Sequence, residues 1–167
     1  MKSFVAVLLA SLLTGAVHAA TANPDAAQVK AAHDLLAAMQ AEKMMRMTAG
    51  MSQYASPAQR KEVMDKVIKL QPETVYSRLA LPVARLLSTE TATEMTSFYQ
   101  SSYGQKVLHQ TYNSGASLGP SVATPTAAEK AALKKPAYLK AEKEFKANEQ
   151  AINHETFLLL KQVINGK

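Results

Sequence analysis

Helix-starting residues divide this chain into short segments, and that division constrains the fold more than any other feature. In Ser56-Pro57 and again in Gln71-Pro72, a polar residue is followed by a proline that can be the first residue of a helix. Within the segments apolar residues recur every three or four positions, the period of an amphipathic helix, and no segment shows sustained strand-like alternation. The pattern predicts an all-α, single-domain, antiparallel helical bundle of five to seven helices. The expected helix breaks lie near Pro57, Pro72, Pro82, Ser101 and Pro136.

The first segment is rich in methionine and permits two interpretations. Its apolar stripe predicts one amphipathic helix from the Asn23-Pro24 start to about Gly50 or Tyr54, with Met45 pointing away from the core. Core packing is the favoured role of the methionines, and no metal or cofactor is predicted. Thioethers are also soft ligands that suit cuprous copper. The alternative is a copper site on three methionines that lie within one sector of the helical wheel, Met44, Met47 and Met51.

The first nineteen residues have the pattern of a cleaved signal peptide. Lys2 provides the positive charge, Phe4 to Leu13 is continuously apolar, and the small residues before Ala19 indicate cleavage between Ala19 and Ala20. Residues 20–167 are therefore expected to form one exported domain, periplasmic or secreted. No later segment has the ~20 apolar residues needed to span a bilayer.

Composition excludes several chemistries for this exported chain. It contains no cysteine, so disulfides, thiol catalysis and cysteine-bound metals are excluded. Removing Lys2 from the 19 basic residues leaves 18 against 13 acidic ones, so the net charge after cleavage is +5. A charge of this size is typical of a soluble basic surface.

The stretch "FYQSSYGQKV", residues 98–107, is interpreted as a joint between two helices. On a helical wheel of ~3.6 residues per turn, the apolar residues up to Phe98 and Tyr99 lie on one side. The apolar residues after the serine pair lie on a side rotated from it by roughly 150–180°. A break at Ser101 or Ser102, with a serine hydroxyl capping the new helix, resolves the conflict. Gly104 then lies where another helix approaches closely.

The region after this joint is expected to form a loop, a lysine-rich helix and an apolar end. Residues 116–125 are predicted to be a loop, and Thr126 with Glu129 fits a capping box. The lysines alternate with glutamates, which favours a solvated face over nucleic-acid binding, with an anionic envelope surface as a minor partner. The apolar end is the candidate interface for a second copy or an unidentified envelope protein, through Phe157, Leu158 and Leu160.

Two long stretches carry a family resemblance. They are "LLAAMQAEKMMRMTAGM" and "VYSRLALPVARLLSTETATEMTSFYQSSYGQKV". Together they resemble the bacterial envelope family catalogued as domain of unknown function 2059, although Leu87, Ser88 and Ser102 replace its usual aromatic residue, threonine and proline. The residues that match the family motif are Tyr76, Phe98, Tyr99, Ser101, Gly104, Gln105 and Lys106.

A third stretch, "PTAAEKAALKKPAYLK", looks like a degenerate copy of the same unit that lacks the glycine. In this copy Glu129, Leu133 and Tyr138 occupy the positions equivalent to Glu94, Phe98 and Tyr103 of the first copy. The resemblance implies an exported, all-helical domain with no agreed activity.

No recognisable catalytic constellation appears, so no catalytic residue is predicted and the chain is interpreted as a non-enzyme. His33, His109 and His154 lack partners at metal-ligand spacing, and no nucleophile motif is present. The leading hypothesis is an exported, non-catalytic binding or interaction module of the bacterial envelope. The alternative is a carrier of a small apolar ligand or lipid between its helices.

Overall fold

The computed structural model describes residues 23–113 and 124–166, and these residues form eight helices and no strand. The predicted all-α bundle is confirmed. The helix count exceeds the expected five to seven because the first predicted helix is divided in two. The helices are α1 (Ala26–Ala38), α2 (Ala41–Met51), α3 (Pro57–Lys69), α4 (Pro72–Ala84), α5 (Thr89–Gln100), α6 (Ser102–Asn113), α7 (Ala127–Ala132) and α8 (Pro136–Ile164).

Proline and side-chain caps begin most of these helices, as the sequence predicts. Prolines 57, 72 and 136 are each the first residue of a helix. Pro82 lies inside α4, which ends two residues later at Ala84. The first helix begins later than expected, because Asp25 rather than Asn23 caps it through a 2.8 Å bond from the Gln28 backbone N–H. The other side-chain caps that accept a backbone N–H are Ser56, Ser88, Ser101 and Thr126.

The prediction of one continuous first helix is wrong. Gln40 has a φ of 57°, in the left-handed region, and it separates α1 from α2. The turn changes the rotation of every residue that follows. Met45, expected to point away, is fully buried, whereas Met51, expected on the core face, is 71% exposed.

The long helix α8 supports the bundle by packing against α2, α3, α4 and α5, while α1 packs against α4 and α5. Each large apolar side chain that is fully buried contributes about 1.5–3 kcal/mol relative to an exposed one. None of the helices in the described ranges is long and apolar enough to cross a membrane. The largest fully buried apolar side chains are Leu35, Leu36, Met45, Leu79, Ile152 and Leu160.

Some predictions concern residues that are not described. The signal peptide of residues 1–19, its cleavage site at Ala19 and Ala20, and most of the loop 116–125 lie outside the described residues. They stay predictions.

Candidate functional site

The predicted joint between α5 and α6 is confirmed at Ser101. Its backbone is extended, with φ −68° and ψ 160°, so the helix stops there. The Ser101 hydroxyl oxygen accepts a 3.0 Å bond from the Gly104 backbone N–H, which caps α6. The same hydroxyl donates to the Phe98 carbonyl oxygen at 2.6 Å. One serine therefore connects the end of α5 to the start of α6.

Gly104 is required by the close approach of the two helices at this joint. A Cβ atom at this position would overlap the Phe98 carbonyl oxygen and lie 2.8 Å from the Tyr99 Cα. These neighbours are backbone atoms, which cannot rotate aside as a side chain would. The prediction that Gly104 permits a close helix approach is confirmed, and the approaching element is the last turn of α5.

Two further residues of the family-like motif contact segments next to α6. The Gln105 side-chain amide donates to the Tyr99 carbonyl oxygen at 2.5 Å, which satisfies a carbonyl at the α5 end. Lys106 Nζ lies 3.8 Å from Glu129 Oε1 at the start of α7. These polar contacts assign the exposed part of the motif to a structural role.

The two copies of the proposed repeat meet beside the joint. The Glu129 carboxylate accepts bonds from the Ser102 hydroxyl at 2.5 Å and the Thr126 backbone N–H at 2.7 Å. The Ser102 bond, with the Thr126 bond, lowers the pKa of Glu129 to about 2. A groove of about 200 Å³ opens there. Its lining includes the equivalent residues of both copies, Glu94, Phe98, Tyr103, Glu129, Leu133 and Tyr138.

Tyr76, the remaining motif residue, has a partner that the sequence did not reveal. Its hydroxyl donates a 2.6 Å bond to Oε2 of Glu42, a buried carboxylate on α2. Burial and this carboxylate raise the pKa of Tyr76. Tyr76 thereby joins α4 to α2 and gives the buried Glu42 carboxylate a hydrogen-bond donor.

An apolar cleft of about 330 Å³ opens between the start of α2, α6 and α8. The Tyr112 hydroxyl donates to the Met39 carbonyl oxygen at 2.8 Å, which holds α6 to the turn between α1 and α2 at one side of the cleft. Apolar side chains from four elements form most of its wall, including Met39, Met44, Met47, Leu108, Phe145 and Ile152.

A small polar group lies among the apolar walls of the cleft. Tyr99, Glu149 and Asn153 line it from α5 and α8. Burial, with the Glu149 carboxylate nearby, raises the pKa of Tyr99 to about 12, so the phenol keeps its proton. Within the described residues the Tyr99 hydroxyl forms no hydrogen bond. It is therefore a donor available to a molecule in the cleft.

The structure modifies the predicted methionine site. Met44 and Met47 line the cleft, as does Met39, whereas Met51 lies outside it. The three methionines of the predicted alternative, Met44, Met47 and Met51, therefore do not share one site. Core packing describes Met39 and Met44, which are buried, but not Met47 or Met51, which are 39% and 71% exposed.

The histidines do not assemble a metal or catalytic site in residues 23–113 and 124–166. His33 Nε2 lies 2.8 Å from Glu73 Oε1, and the Ser77 hydroxyl also donates to this oxygen rather than to the imidazole. His109 and His154 are exposed. No group of three or more histidine, aspartate and glutamate residues in these ranges could hold a metal ion.

Two of the three residues of the predicted C-terminal interface lie at the surface, and the interface itself stays a prediction. Leu160 is 1% exposed and belongs to the core of the chain itself, so its assignment to an interface is wrong. The reason is that α8 packs on several helices at once, which buries more than one of its faces. Phe157 and Leu158 remain at the surface, with exposed fractions of 37% and 36%.

Glu144 has a structural role that sequence reasoning missed. Its carboxylate accepts bonds from the Ser88 backbone N–H at 2.7 Å, the Ser88 hydroxyl at 3.0 Å and the Thr91 hydroxyl at 2.7 Å. Partial burial raises the pKa of Glu144, but the bonds from Ser88 and Thr91 outweigh it and hold the pKa below its usual value. A carboxylate on α8 thus stabilises the start of α5.

A second depression, of about 400 Å³, has a different character. It runs between α5 and α8, and its lining includes Thr89, Thr93 and an exposed ion pair in which Lys140 Nζ lies 2.8 Å from Glu90 Oε2. Threonine, alanine and charged residues line it, without the methionine, leucine, isoleucine and phenylalanine side chains of the cleft. The cleft beside Tyr99 is therefore the stronger candidate for a ligand site.

Comparisons with family models, with curated proteins and with solved structures found no match. The resemblance to the envelope family therefore stays an interpretation of the sequence motifs.

Proposed function

We propose that this chain is an exported, non-catalytic binding module of the bacterial envelope, and that it carries a small apolar ligand in the cleft between α2, α6 and α8. The single observation that supports the proposal is the composition of this cleft. Ligand sites of helical bundles lie between helices, have volumes of about 300–1,000 Å³ and combine apolar walls with a few polar groups. The cleft has about 330 Å³, a mostly apolar lining and a Tyr99 hydroxyl that has no hydrogen bond to any described residue.

The signal-like start of the sequence supports export, and the periplasm is the proposed location. The absence of cysteine is compatible with an oxidising compartment because the fold needs no thiol. An apolar molecule is poorly soluble in the aqueous periplasm. Enclosing it between helices would remove its surface from water, at about 25 cal/mol per Å² of apolar area.

A neutral apolar dye, N-phenyl-1-naphthylamine, provides the first test. We expect saturable binding with increased fluorescence. Thr111 lines the cleft from an exposed position on α6, so Thr111→Trp should fill the opening without disturbing the core. Binding to this variant should weaken roughly tenfold or more, which corresponds to ~1.4 kcal/mol.

His109→Trp is the matched control because His109 is also exposed on α6 but does not line the cleft. It should bind the dye as the parent does. Equal binding by all three proteins would place the dye elsewhere and contradict the proposed site.

A second candidate function is contact with another copy of the chain through the exposed side of α8. It is favoured by Phe157 and Leu158, which remain exposed although they are large and apolar. Truncating α8 would not test this contact, since the end of the helix also supplies the core residues Leu159 and Leu160.

Point substitutions separate this surface from the core. If the chain associates through this side of α8, the double variant Phe157→Lys/Leu158→Lys should weaken association roughly tenfold or more in sedimentation experiments. Leu139→Lys, on an exposed residue near the other end of α8, is the control and should have no effect. A parent protein that stays monomeric at all concentrations would exclude this candidate.

A further inference from the structure

Three thioether side chains meet at the cleft. Met39 lies in the turn after α1, and Met44 and Met47 lie one helical turn apart on α2. Residues three apart on a helix are neighbours on its surface, with Cβ atoms about 5–6 Å apart. Methionine has an unbranched side chain with three rotatable bonds. Three flexible thioether side chains from two neighbouring segments therefore border the same cleft.

The backbone that brings Met39 to this position is unusual. Gln40, the next residue, adopts a left-handed φ of 57° and is the one non-glycine residue in the described ranges with a positive φ. Such conformations are strained and persist where the surroundings determine them, often at ligand sites. The Tyr112 hydroxyl holds the adjacent Met39 carbonyl oxygen at 2.8 Å. A continuous helix would not bring Met39, Met44 and Met47 to the cleft in this way.

We propose that Met39, Met44 and Met47 form a binding site for one cuprous ion in this cleft. Soft thioether ligands select Cu(I) over harder divalent ions. The cleft provides no imidazole or thiolate, which zinc would require. Glu149 lines the same cleft and supplies a negative charge opposite the single positive charge of Cu(I). Met47 is 39% exposed and gives the ion access from solvent.

The donor set determines how binding depends on pH. A thioether carries no proton at any accessible pH, so Cu(I) binding releases none from these ligands. Affinity should therefore stay nearly constant between about pH 5 and 7. A site built on imidazole ligands would instead weaken as the pH falls, since protons compete with the metal for imidazole nitrogen.

The test is an anaerobic titration of the full exported chain with Cu(I), in competition with a chromophoric Cu(I) chelator. We expect one equivalent to bind, with X-ray absorption showing sulfur as the dominant ligand. Met39→Leu and Met44→Leu should each weaken binding roughly tenfold or more. Met51→Leu is the matched control, because Met51 is on α2 but outside the cleft, and it should bind as the parent does.

The substitutions conserve side-chain volume and remove only the sulfur donor, so the fold should persist, which circular dichroism will verify. Absence of Cu(I) binding, or equal weakening by Met51→Leu, would overturn the copper site. The dye experiment remains independent of this result, since leucine preserves the apolar wall. If Thr111→Trp loses dye binding while Met39→Leu binds Cu(I) as tightly as the parent does, the ligand site is supported and the metal site is rejected.

Discussion

Replacing Gly104 with alanine is expected to destabilise the folded chain by about 3 kcal/mol. The added Cβ would overlap the carbonyl oxygen of Phe98 and approach the Tyr99 Cα to 2.8 Å. Relief requires α5 and α6 to move apart at the joint, which would also disturb the Ser101 cap. Urea denaturation followed by circular dichroism measures the change in the free energy of unfolding.

Gly50→Ala is the matched control for this prediction. Gly50 is also helical, but a Cβ there would meet no atom within 4 Å. Alanine is favoured over glycine in a helix by about 1 kcal/mol, so this variant should be as stable as the parent or more so. Similar stabilities for Gly104→Ala and Gly50→Ala would contradict the described joint.

Replacing Glu144 with glutamine is the second large expected effect. The carboxylate accepts three bonds from Ser88 and Thr91 at the start of α5. Glutamine keeps the shape but loses the charge and one acceptor oxygen, so we expect a loss of about 2–3 kcal/mol. Glu142→Gln is the control, since Glu142 forms an ion pair with Lys146 at the surface of α8, and a surface pair contributes about 0–1 kcal/mol.

The contribution of Glu144 to stability should depend on pH in a defined direction. The pKa of this carboxyl is lower in the folded chain than its usual value. The unfolded chain therefore binds the proton more readily, and the stabilisation is complete above the unfolded pKa of about 4.3. It is lost as the pH falls through the folded pKa. The stability difference between the parent and Glu144→Gln should be constant near neutral pH and shrink in acid; a difference that grows in acid would contradict this assignment.

Sequence reasoning was most successful where the information is local. The joint at Ser101, the close approach at Gly104 and the Thr126–Glu129 capping box follow from caps and from the rotation of apolar residues along a helix. Each of these features is determined by residues within a few positions of one another. A single sequence contains that information directly.

The break at Gln40 has no proline or glycine to predict it. Without that break, the wheel placed Met45 on the wrong side and Met51 in the core, and it grouped Met51 with Met44 and Met47 in the alternative copper site. Helical periodicity alone cannot detect such a turn, since it is stabilised by contacts between distant elements, such as the Tyr112 bond to Met39 across 73 positions.

The cleft and the Glu144 contact were missed for a related reason. Glu144 lies 53 and 56 positions from its two partners, among lysines that made it look like part of a solvated face. Tyr99 and Glu149 meet in the cleft from different helices. Apolar patterning identifies the sides of the helices that are buried, but it does not show where packed helices leave a space.

Native mass spectrometry of the chain, purified gently from a bacterial envelope without detergent, tests the proposed function most directly. We predict a reproducible adduct of discrete mass on the parent and on His109→Trp, and its absence from Thr111→Trp, whose indole would occupy the cleft. A parent protein that carries no adduct, or an adduct that Thr111→Trp retains, would contradict carriage of a small apolar ligand between α2, α6 and α8.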